Sequence, residues 1–206
     1  MAQRTIDFIF DFGSPNAYMA YHVLPAIAER QGARINLIPC LLGGIFKATG
    51  NQAPWATFAH VKSKLAYEAL EARRFVEKHG LTRFRHNPHF PVITLLLMRG
   101  MVAAQRAGVM DRYVEAGLRA MWEDGQKMDD PEVFARVFDA AGLDGQGLLA
   151  ATGDPEVKAQ LIANTEAAVA RGVFGIPTFF VGDEMFFGKD KLDDLEDHLK
   201  RLAAPA

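Results

Sequence analysis

The sequence predicts an α/β fold in which a β-α-β unit and a β-β-α unit are separated by a large block of helices. Strand-like stretches lie toward the two ends of the 206-residue chain, helical patterns dominate between them, and no linker or low-complexity stretch divides it. Hydrophobic residues make up 50% of the chain and charged residues 23%, which is ordinary for a globular protein. A chain of this length can bury roughly 70% of the surface of its unfolded form, so it needs no disulfides or metal to fold.

The first unit is predicted from two strands and the helix between them. Residues 6–12 combine aromatic and β-branched side chains and predict a strand, which a Gly-Ser-Pro sequence ends. From Pro15 to about Gln31 the apolar residues recur with helical spacing, and Pro25 is expected to kink this helix. A second strand is predicted over residues 34–39. A helix between two strands implies a parallel pair with a right-handed crossover.

The middle of the chain predicts one loop followed by helices. Residues 41–55 are rich in glycine and predict a loop, and a long helix is predicted over residues 57–79. Asp130 before Pro131 is typical of a helix start, and an Asp-Pro pair recurs at 154–155. The further helices are predicted over residues 92–107, 111–124, 131–141, 146–151 and 155–171.

The last part of the chain returns to strands. Residues 177–181 and 184–187, joined by a Gly-Asp turn, predict a hairpin, and a final helix is predicted over about 190–202. This is the element order of a thioredoxin-like fold with a large helical insertion between its halves. We expect two parts, a thioredoxin-like domain of residues 1–55 and 173–206, and an inserted helical domain of residues 56–172.

Composition and charge exclude several classes of function. Cys40 is the one cysteine, which excludes a Cys-x-x-Cys redox centre and a multi-cysteine zinc site. The simplest expectation for Cys40 itself is a small, buried apolar residue. The net charge of −2 without runs of like charge gives no sign of a nucleic-acid or membrane-surface partner. No apolar stretch has the ~18 residues of a membrane helix, and no apolar signal region opens the chain. We expect a cytoplasmic protein without a metal, nucleic-acid or membrane partner.

Ser14 is a candidate functional residue because it lies where the first strand meets the first helix. Open α/β sheets bind ligands at the carboxyl ends of their strands, and a helix N-terminus favours an anion. A thiolate is such an anion, and the Ser14 hydroxyl can donate to it without forming a disulfide. The alternative is that Ser14 is only a helix N-cap, with Pro15 at the first helical position.

Two other segments contain candidate residues. A cis Ile176–Pro177 bond would leave the Ile176 backbone unpaired and able to bind an extended peptide, whereas a trans proline there would only open a strand. Asp190 is expected to be an N-cap of the last helix, or a partner for a ligand ammonium beside first-turn N–H groups. Three further polar candidates are Asn51, Lys62 and Lys64. A lone lysine on a helix is usually solvated, which is the alternative for the two lysines.

Several short motifs occur in a fixed order along the chain. They are residues 10–18 (FDFGSPNAY), 42–44 (LGG), 50–54 (GNQAP), 90–91 (FP), 175–178 (GIPT) and 187–190 (FGKD). Together they resemble the 2-hydroxychromene-2-carboxylate isomerases, relatives of the kappa-class glutathione transferases and of DsbA-type oxidoreductases. The resemblance extends from about Ile6 to Leu199. Both thiols of the DsbA-type motif are missing, which excludes dithiol oxidoreductase chemistry.

The resemblance implies roles for individual residues, with glutathione as the cofactor. Ser14 is similar to the serine that contacts the glutathione sulfur, Ile176 to the residue whose backbone meets the cysteinyl part, and Pro177 to a cis proline. Four more residues are implied to be glutathione contacts, Asn51 near the glycyl end, Lys64, and the pair Lys189 and Asp190 at the γ-glutamyl end. Lys189 departs from the relatives, in which a smaller or uncharged residue is usual.

The activity implied by the resemblance is the interconversion of 2-hydroxychromene-2-carboxylate and trans-o-hydroxybenzylidenepyruvate, a step of naphthalene breakdown, in a protein that we expect to be a homodimer. The partner is then a small aromatic hydroxy or keto acid, which needs an apolar wall. Candidates for that wall are Phe46, Trp55, Phe58, Phe90 and Phe174, and candidate acid–base groups are His86 and His89. Two alternatives stay open, a glutathione transferase or peroxidase that consumes glutathione, and a non-catalytic binding protein.

Overall fold

The structure, a computed structural model, describes residues 4–203, and its strands form one mixed sheet. The strands of the described part are β1 (Thr5–Phe10), β2 (Arg34–Pro39), β3 (Thr178–Val181) and β4 (Glu184–Phe187). Their order in the sheet is β2-β1-β3-β4. Strand β1 is parallel to β2 and antiparallel to β3, and β3 pairs with β4 in a hairpin. The predicted parallel pair and the predicted hairpin are both confirmed.

Most of the helices lie between β2 and β3 in the sequence. The helices are α1 (Pro15–Arg30), α2 (Leu42–Thr49), α3 (Pro54–Thr57), α4 (Lys62–Lys78), α5 (Leu95–Arg106), α6 (Met110–Trp122), α7 (Pro131–Ala140), α8 (Gly145–Ala151), α9 (Pro155–Ala170) and α10 (Leu192–Ala203), with a 3₁₀ turn at Lys189–Lys191. The thioredoxin-like fold with a helical insertion is therefore confirmed, while the division into two domains stays a prediction. Between residues 4 and 203, no helix has the length and apolarity that crossing a bilayer requires.

One loop prediction and the start of one predicted helix are wrong. The loop predicted over residues 41–55 contains α2 and the short α3, and the helix predicted from residue 57 begins at Lys62. Helix α2 lacks a capping side chain of its own at Leu41. The Asp11 carboxylate instead accepts the Leu42 N–H at 2.7 Å, from 31 residues away in the sequence. A cap supplied by a distant segment leaves no local signal, which is why this helix was missed.

The ends of the other helices agree better with the sequence, with one exception. Asp130 and Asp154 are N-caps, their carboxylates accepting the N–H groups of the residues two positions on at 2.9 and 2.7 Å. Pro25 lies within α1, which continues to Arg30. The exception is Asp190, which lies inside the 3₁₀ turn that follows Gly188 and is not an N-cap.

One continuous core joins the sheet to the inserted helices. Phe8, Phe10 and Phe12 at the carboxyl half of β1 and just beyond it are fully buried, and so is Trp122 at the end of α6. The Trp122 indole N–H donates to the Phe12 carbonyl at 2.8 Å. The insertion therefore fixes the end of β1, where the chain turns toward Ser14. Cys40 is buried as predicted, and burial raises the pKa of its thiol to about 12.

Candidate functional site

Ser14 connects two distant parts of the chain. It is the N-cap of α1, where its Oγ accepts the Ala17 N–H at 3.2 Å. The same hydroxyl donates to the Ile176 carbonyl at 2.9 Å, across 162 residues of sequence. The cap interpretation is thus correct, and the side chain also lies beside the second segment that the sequence singles out.

The N-terminus of α1 keeps one backbone donor open. Ala17 and Tyr18 donate their N–H groups to the Ser14 carbonyl at 3.0 and 3.2 Å. The Asn16 N–H donates to no acceptor within residues 4–203, and Asn16 is exposed. Because a helix N-terminus carries partial positive charge, this N–H and the Ser14 hydroxyl form a small site suited to an anion.

Asp11 lies buried beneath this turn, and sequence reasoning missed it. Its carboxylate accepts the N–H groups of Gly13 at 2.8 Å and Leu42 at 2.7 Å. Burial raises the pKa of Asp11, and hydrogen bonds from Leu42, Gly13 and the Thr94 side chain oppose that rise. A Cβ at Gly13 would lie 3.3 Å from the carboxylate and from Thr94, so the turn is closely packed. Asp11 therefore positions the loop before Ser14. The sequence feature that could have identified it is an acidic residue at the end of an apolar strand.

The Ile176–Pro177 peptide bond is cis, as the resemblance implies. The expectation of an unpaired Ile176 backbone is wrong for its carbonyl, because the Ser14 hydroxyl reaches it. It holds for the N–H group, which donates to no acceptor in the described chain. Ile176 is buried, and a buried backbone donor is normally paired, so this N–H fits a ligand that offers a carbonyl.

The 3₁₀ turn is joined to this loop by one hydrogen bond. The Gly188 N–H donates to the Pro177 carbonyl at 2.9 Å, and Lys189 follows directly. The Lys189 side chain is buried and forms an ion pair with Asp190, whose side chain is 72% exposed. The structure thus places Lys189 and Asp190 next to the cis-proline loop.

Asn51 and Lys64 are placed differently from each other. The Asn51 side chain donates to the Phe174 carbonyl at 2.8 Å, two residues before Ile176. Lys64 is exposed on α4, and its ammonium lies 3.6 Å from the centre of the Phe58 ring. The structure therefore brings Asn51 to the loop of Ile176, whereas no contact within residues 4–203 links Lys64 to Ser14.

The aromatic candidates fall into separate groups. The ring of Phe90 lies 6.3 Å from Trp55 and 6.0 Å from Trp122, the residue bonded to the Phe12 carbonyl. His86 packs edge-on against Phe90 at 5.2 Å. Phe174 instead packs against Phe187, with ring centres 4.5 Å apart. Trp55 and Phe90 are thus connected, through Trp122, to the turn that carries Ser14.

Comparison with known proteins identifies the family. Residues 5–200 match the model of the DSBA-like thioredoxin domain. The chain is 30% identical to a 2-hydroxychromene-2-carboxylate isomerase of Pseudomonas putida, over 96% of this chain and 95% of that protein. It is 23% identical to human glutathione S-transferase kappa 1, over 92% and 88% of the two chains.

A solved structure agrees with these sequence relatives. A 2-hydroxychromene-2-carboxylate isomerase superposes with a TM-score of 0.82 at 28% identity, covering 97% of this chain and 96% of the other. The chain belongs to the DSBA-like thioredoxin family, in the branch that contains isomerases of this name. The resemblance found in the sequence is confirmed.

Proposed function

We propose that the protein is a glutathione-dependent isomerase that interconverts 2-hydroxychromene-2-carboxylate and trans-o-hydroxybenzylidenepyruvate. The observation that carries the proposal is the contact of the Ser14 hydroxyl with the Ile176 carbonyl at the N-terminus of α1. This contact brings the N-terminus of α1 close to Ile176, whose N–H donates to no acceptor within residues 4–203, and so supports an anion site beside a backbone group that can bind a peptide. The isomerases among the relatives support the choice of reaction.

The residues of this site fit a thiol-containing peptide. The buried Ile176 N–H pairs with a carbonyl of the cysteinyl part, and Asn51, Lys189 and Asp190 meet the peptide's two ends. The Ser14 hydroxyl carries one hydrogen, so it turns from the Ile176 carbonyl to the sulfur when the peptide binds. A charge-assisted contact of this kind stabilises by about 1.5–3 kcal/mol, one to two decades in thiolate population. Lys64, exposed on α4, is proposed as a further glutathione contact.

When bound, glutathione would supply a thiolate nucleophile for catalysis at the conjugated double bond, and it would not be consumed. The chain's own part is to hold the sulfur ionised, with the Ser14 hydroxyl and the Asn16 N–H as donors. Trp55 and Phe90 offer the apolar surface for the aromatic ring. We also propose that the protein is cytoplasmic and a homodimer.

The test is a calorimetric titration of the wild type and of Ser14→Ala with glutathione, followed by addition of an o-hydroxybenzylidenepyruvate. We expect binding, interconversion that requires glutathione, and an unchanged thiol titre. Interconversion without glutathione would contradict the mechanism. No binding at millimolar glutathione would leave the fold without the function.

A transferase that consumes glutathione is the second candidate, favoured by the similarity to human glutathione S-transferase kappa 1. It uses the same thiolate site, so the geometry of Ser14 supports both. The thiol titre separates them, because a transferase lowers it in proportion to product. A non-catalytic binding protein would show no turnover with either substrate.

A further inference from the structure

The long loop between α4 and α5 is anchored by a polar side chain. Residues 79–94 connect the two helices without a strand or a further helix, and connections of this length are uncommon unless they are functional or disordered. Of residues 79–91, Asn87 alone is buried, with 2% of its surface exposed. Burying a polar group is costly unless it is hydrogen-bonded, so the partners of Asn87 indicate its role.

The Asn87 amide holds the loop against the end of α6. Its Nδ2 group donates to the carbonyls of Met121 at 2.8 Å and Gln126 at 2.9 Å. Its Oδ1 accepts the His89 N–H at 2.8 Å, and its backbone carbonyl accepts the Phe90 N–H at 3.1 Å. Both hydrogens and the oxygen of the amide are thus in use. Because hydrogen bonds are directional, these contacts fix the orientation of the loop as well as its depth.

The loop presents aromatic rings on both sides of Asn87, and these rings pack against Trp122. The ring centres of His86 and Phe90 lie 6.1 and 6.0 Å from that of Trp122. Phe84 stacks on the same indole at 6.0 Å. Three rings of one exposed loop therefore share a single, fully buried partner.

The same end of α6 holds the turn that carries Ser14. The Trp122 indole N–H donates to the carbonyl of Phe12, two residues before Ser14. Asn87 is bonded to the carbonyl of Met121, the residue that precedes Trp122. The aromatic loop and the Ser14 turn are therefore both fixed to the last turn of α6, and Asn87 sets the place of one relative to the other.

We infer that Asn87 is a positioning residue for the aromatic part of the substrate. It keeps Phe90 at a fixed place beside the Ser14 turn, so that the ring of a bound aromatic acid meets the sulfur in one orientation. Orientation of the reacting groups counts strongly in catalysis, and a displacement of about 1 Å can cost about 100-fold in rate. The inference rests on the proposed function, because the aromatic acid is the substrate of that reaction.

The experiment compares two variants of the loop with a control elsewhere. Asn87→Ala removes the three hydrogen bonds of the amide. Gly125→Ala displaces the loop without altering the Asn87 side chain, because a Cβ at Gly125 would lie 2.9 Å from the Cδ of Pro88. The control is Asn164→Ala, which removes another amide that donates to a backbone carbonyl, that of Pro39 at 3.0 Å. Steady-state kinetics with an o-hydroxybenzylidenepyruvate and calorimetry with glutathione measure all four proteins.

Both loop variants should lower kcat/KM for the aromatic substrate about 10- to 100-fold and leave the dissociation constant of glutathione within about twofold. Asn164→Ala should leave both quantities at the wild-type value. A parallel loss of kcat/KM and of glutathione affinity would show a merely structural role and overturn the inference, and so would an unchanged kcat/KM. If Asn87→Ala does not fold, Gly125→Ala decides between these outcomes.

A second probe separates failure of the inference from failure of the proposed function. If the wild type does not interconvert its substrates, the proposed function fails, and calorimetry with the aromatic acid 2-hydroxycinnamate decides the inference. Weaker binding of this acid by Asn87→Ala than by the wild type supports the positioning role. Equal binding by the two proteins, or no binding by the wild type, overturns it.

Discussion

The proposed glutathione site around Ser14 and the segment of residues 46–74 are built in opposite ways. Asp11, Ser14 and Ile176 are buried and joined by hydrogen bonds to several elements. None of residues 46–74 is buried, although this stretch carries Asn51, Trp55 and Lys64. One hydrogen bond, from Asn51 to Phe174, joins residues 51–61 to parts of the described fold beyond the adjoining helices.

In the proposed function, the buried site around Ser14 stabilises the thiolate, and residues 46–74 take part in substrate recognition. A site made of buried groups that hydrogen bonds join to several elements is held in place before any ligand arrives, as stabilisation of a thiolate requires. A segment with few buried contacts opens at low free-energy cost, as substrate entry requires. The same contrast predicts which substitutions affect folding and which affect binding.

The largest expected effect is on folding, from the two tryptophans. Trp122→Ala removes a fully buried ring and the hydrogen bond to Phe12, and should lower the free energy of unfolding by about 3–5 kcal/mol. Trp55, which is half exposed, is the matched control. Trp55→Ala should change the free energy of unfolding by less than about 0.5 kcal/mol. Urea denaturation followed by circular dichroism measures both. Similar losses of unfolding free energy in the two variants would mean that the segment of residues 46–74 is part of the core.

Ser14→Ala should affect catalysis more than folding. Losing the donor to the sulfur should lower the thiolate fraction of bound glutathione, and turnover with it, by about 10- to 100-fold. Losing the N-cap should cost about 1 kcal/mol of stability. Thiolate absorbance of the complex and urea denaturation measure the two effects. Unchanged thiolate absorbance would restrict Ser14 to its capping role.

Asn51→Ala should increase local opening of residues 51–61 without lowering the stability of the whole protein. Removing its hydrogen bond to the Phe174 carbonyl should speed amide exchange over residues 51–61 and weaken glutathione binding about threefold to tenfold. Hydrogen exchange with mass spectrometry measures the first effect, with Gln52→Ala as the control. Exchange that stays at the wild-type rate in Asn51→Ala would show that other contacts hold the segment.

The smallest effect concerns acid stability, far from the site. Arg30 hydrogen-bonds Glu196 at 2.9 Å and lowers its pKa from 4.5 to about 2. A carboxyl group whose pKa is lower in the folded than in the unfolded state stabilises the fold at pH values above its unfolded-state pKa. This contribution is lost as the pH falls toward 2. Wild type should therefore exceed Glu196→Gln in urea midpoint at pH 6, and the difference should vanish by about pH 2. A difference independent of pH would exclude titration of Glu196 as its source.

The sequence by itself determined the α/β class, the β-α-β and β-β-α halves and most helices of the insertion, because these depend on local signals. Asp130 and Asp154 before proline, and the Gly-Asp turn of the hairpin, act on neighbouring residues and are visible in the sequence. Ser14 and Ile176 were also identified there, each from its own segment and from the resemblance.

Only the tertiary structure decided what depends on residues far apart in the chain. Helix α2 is capped by Asp11, which a local pattern cannot reveal. The burial of Lys189, whose ammonium lies 4.9 Å from the centre of the Phe75 ring, arises from the packing of α4 against the 3₁₀ turn. That Ser14 meets Ile176 follows from pairing of β1 with β3, which places the two loops at one edge of the sheet. Long-range contacts of this kind have no counterpart in the spacing of residues along the chain.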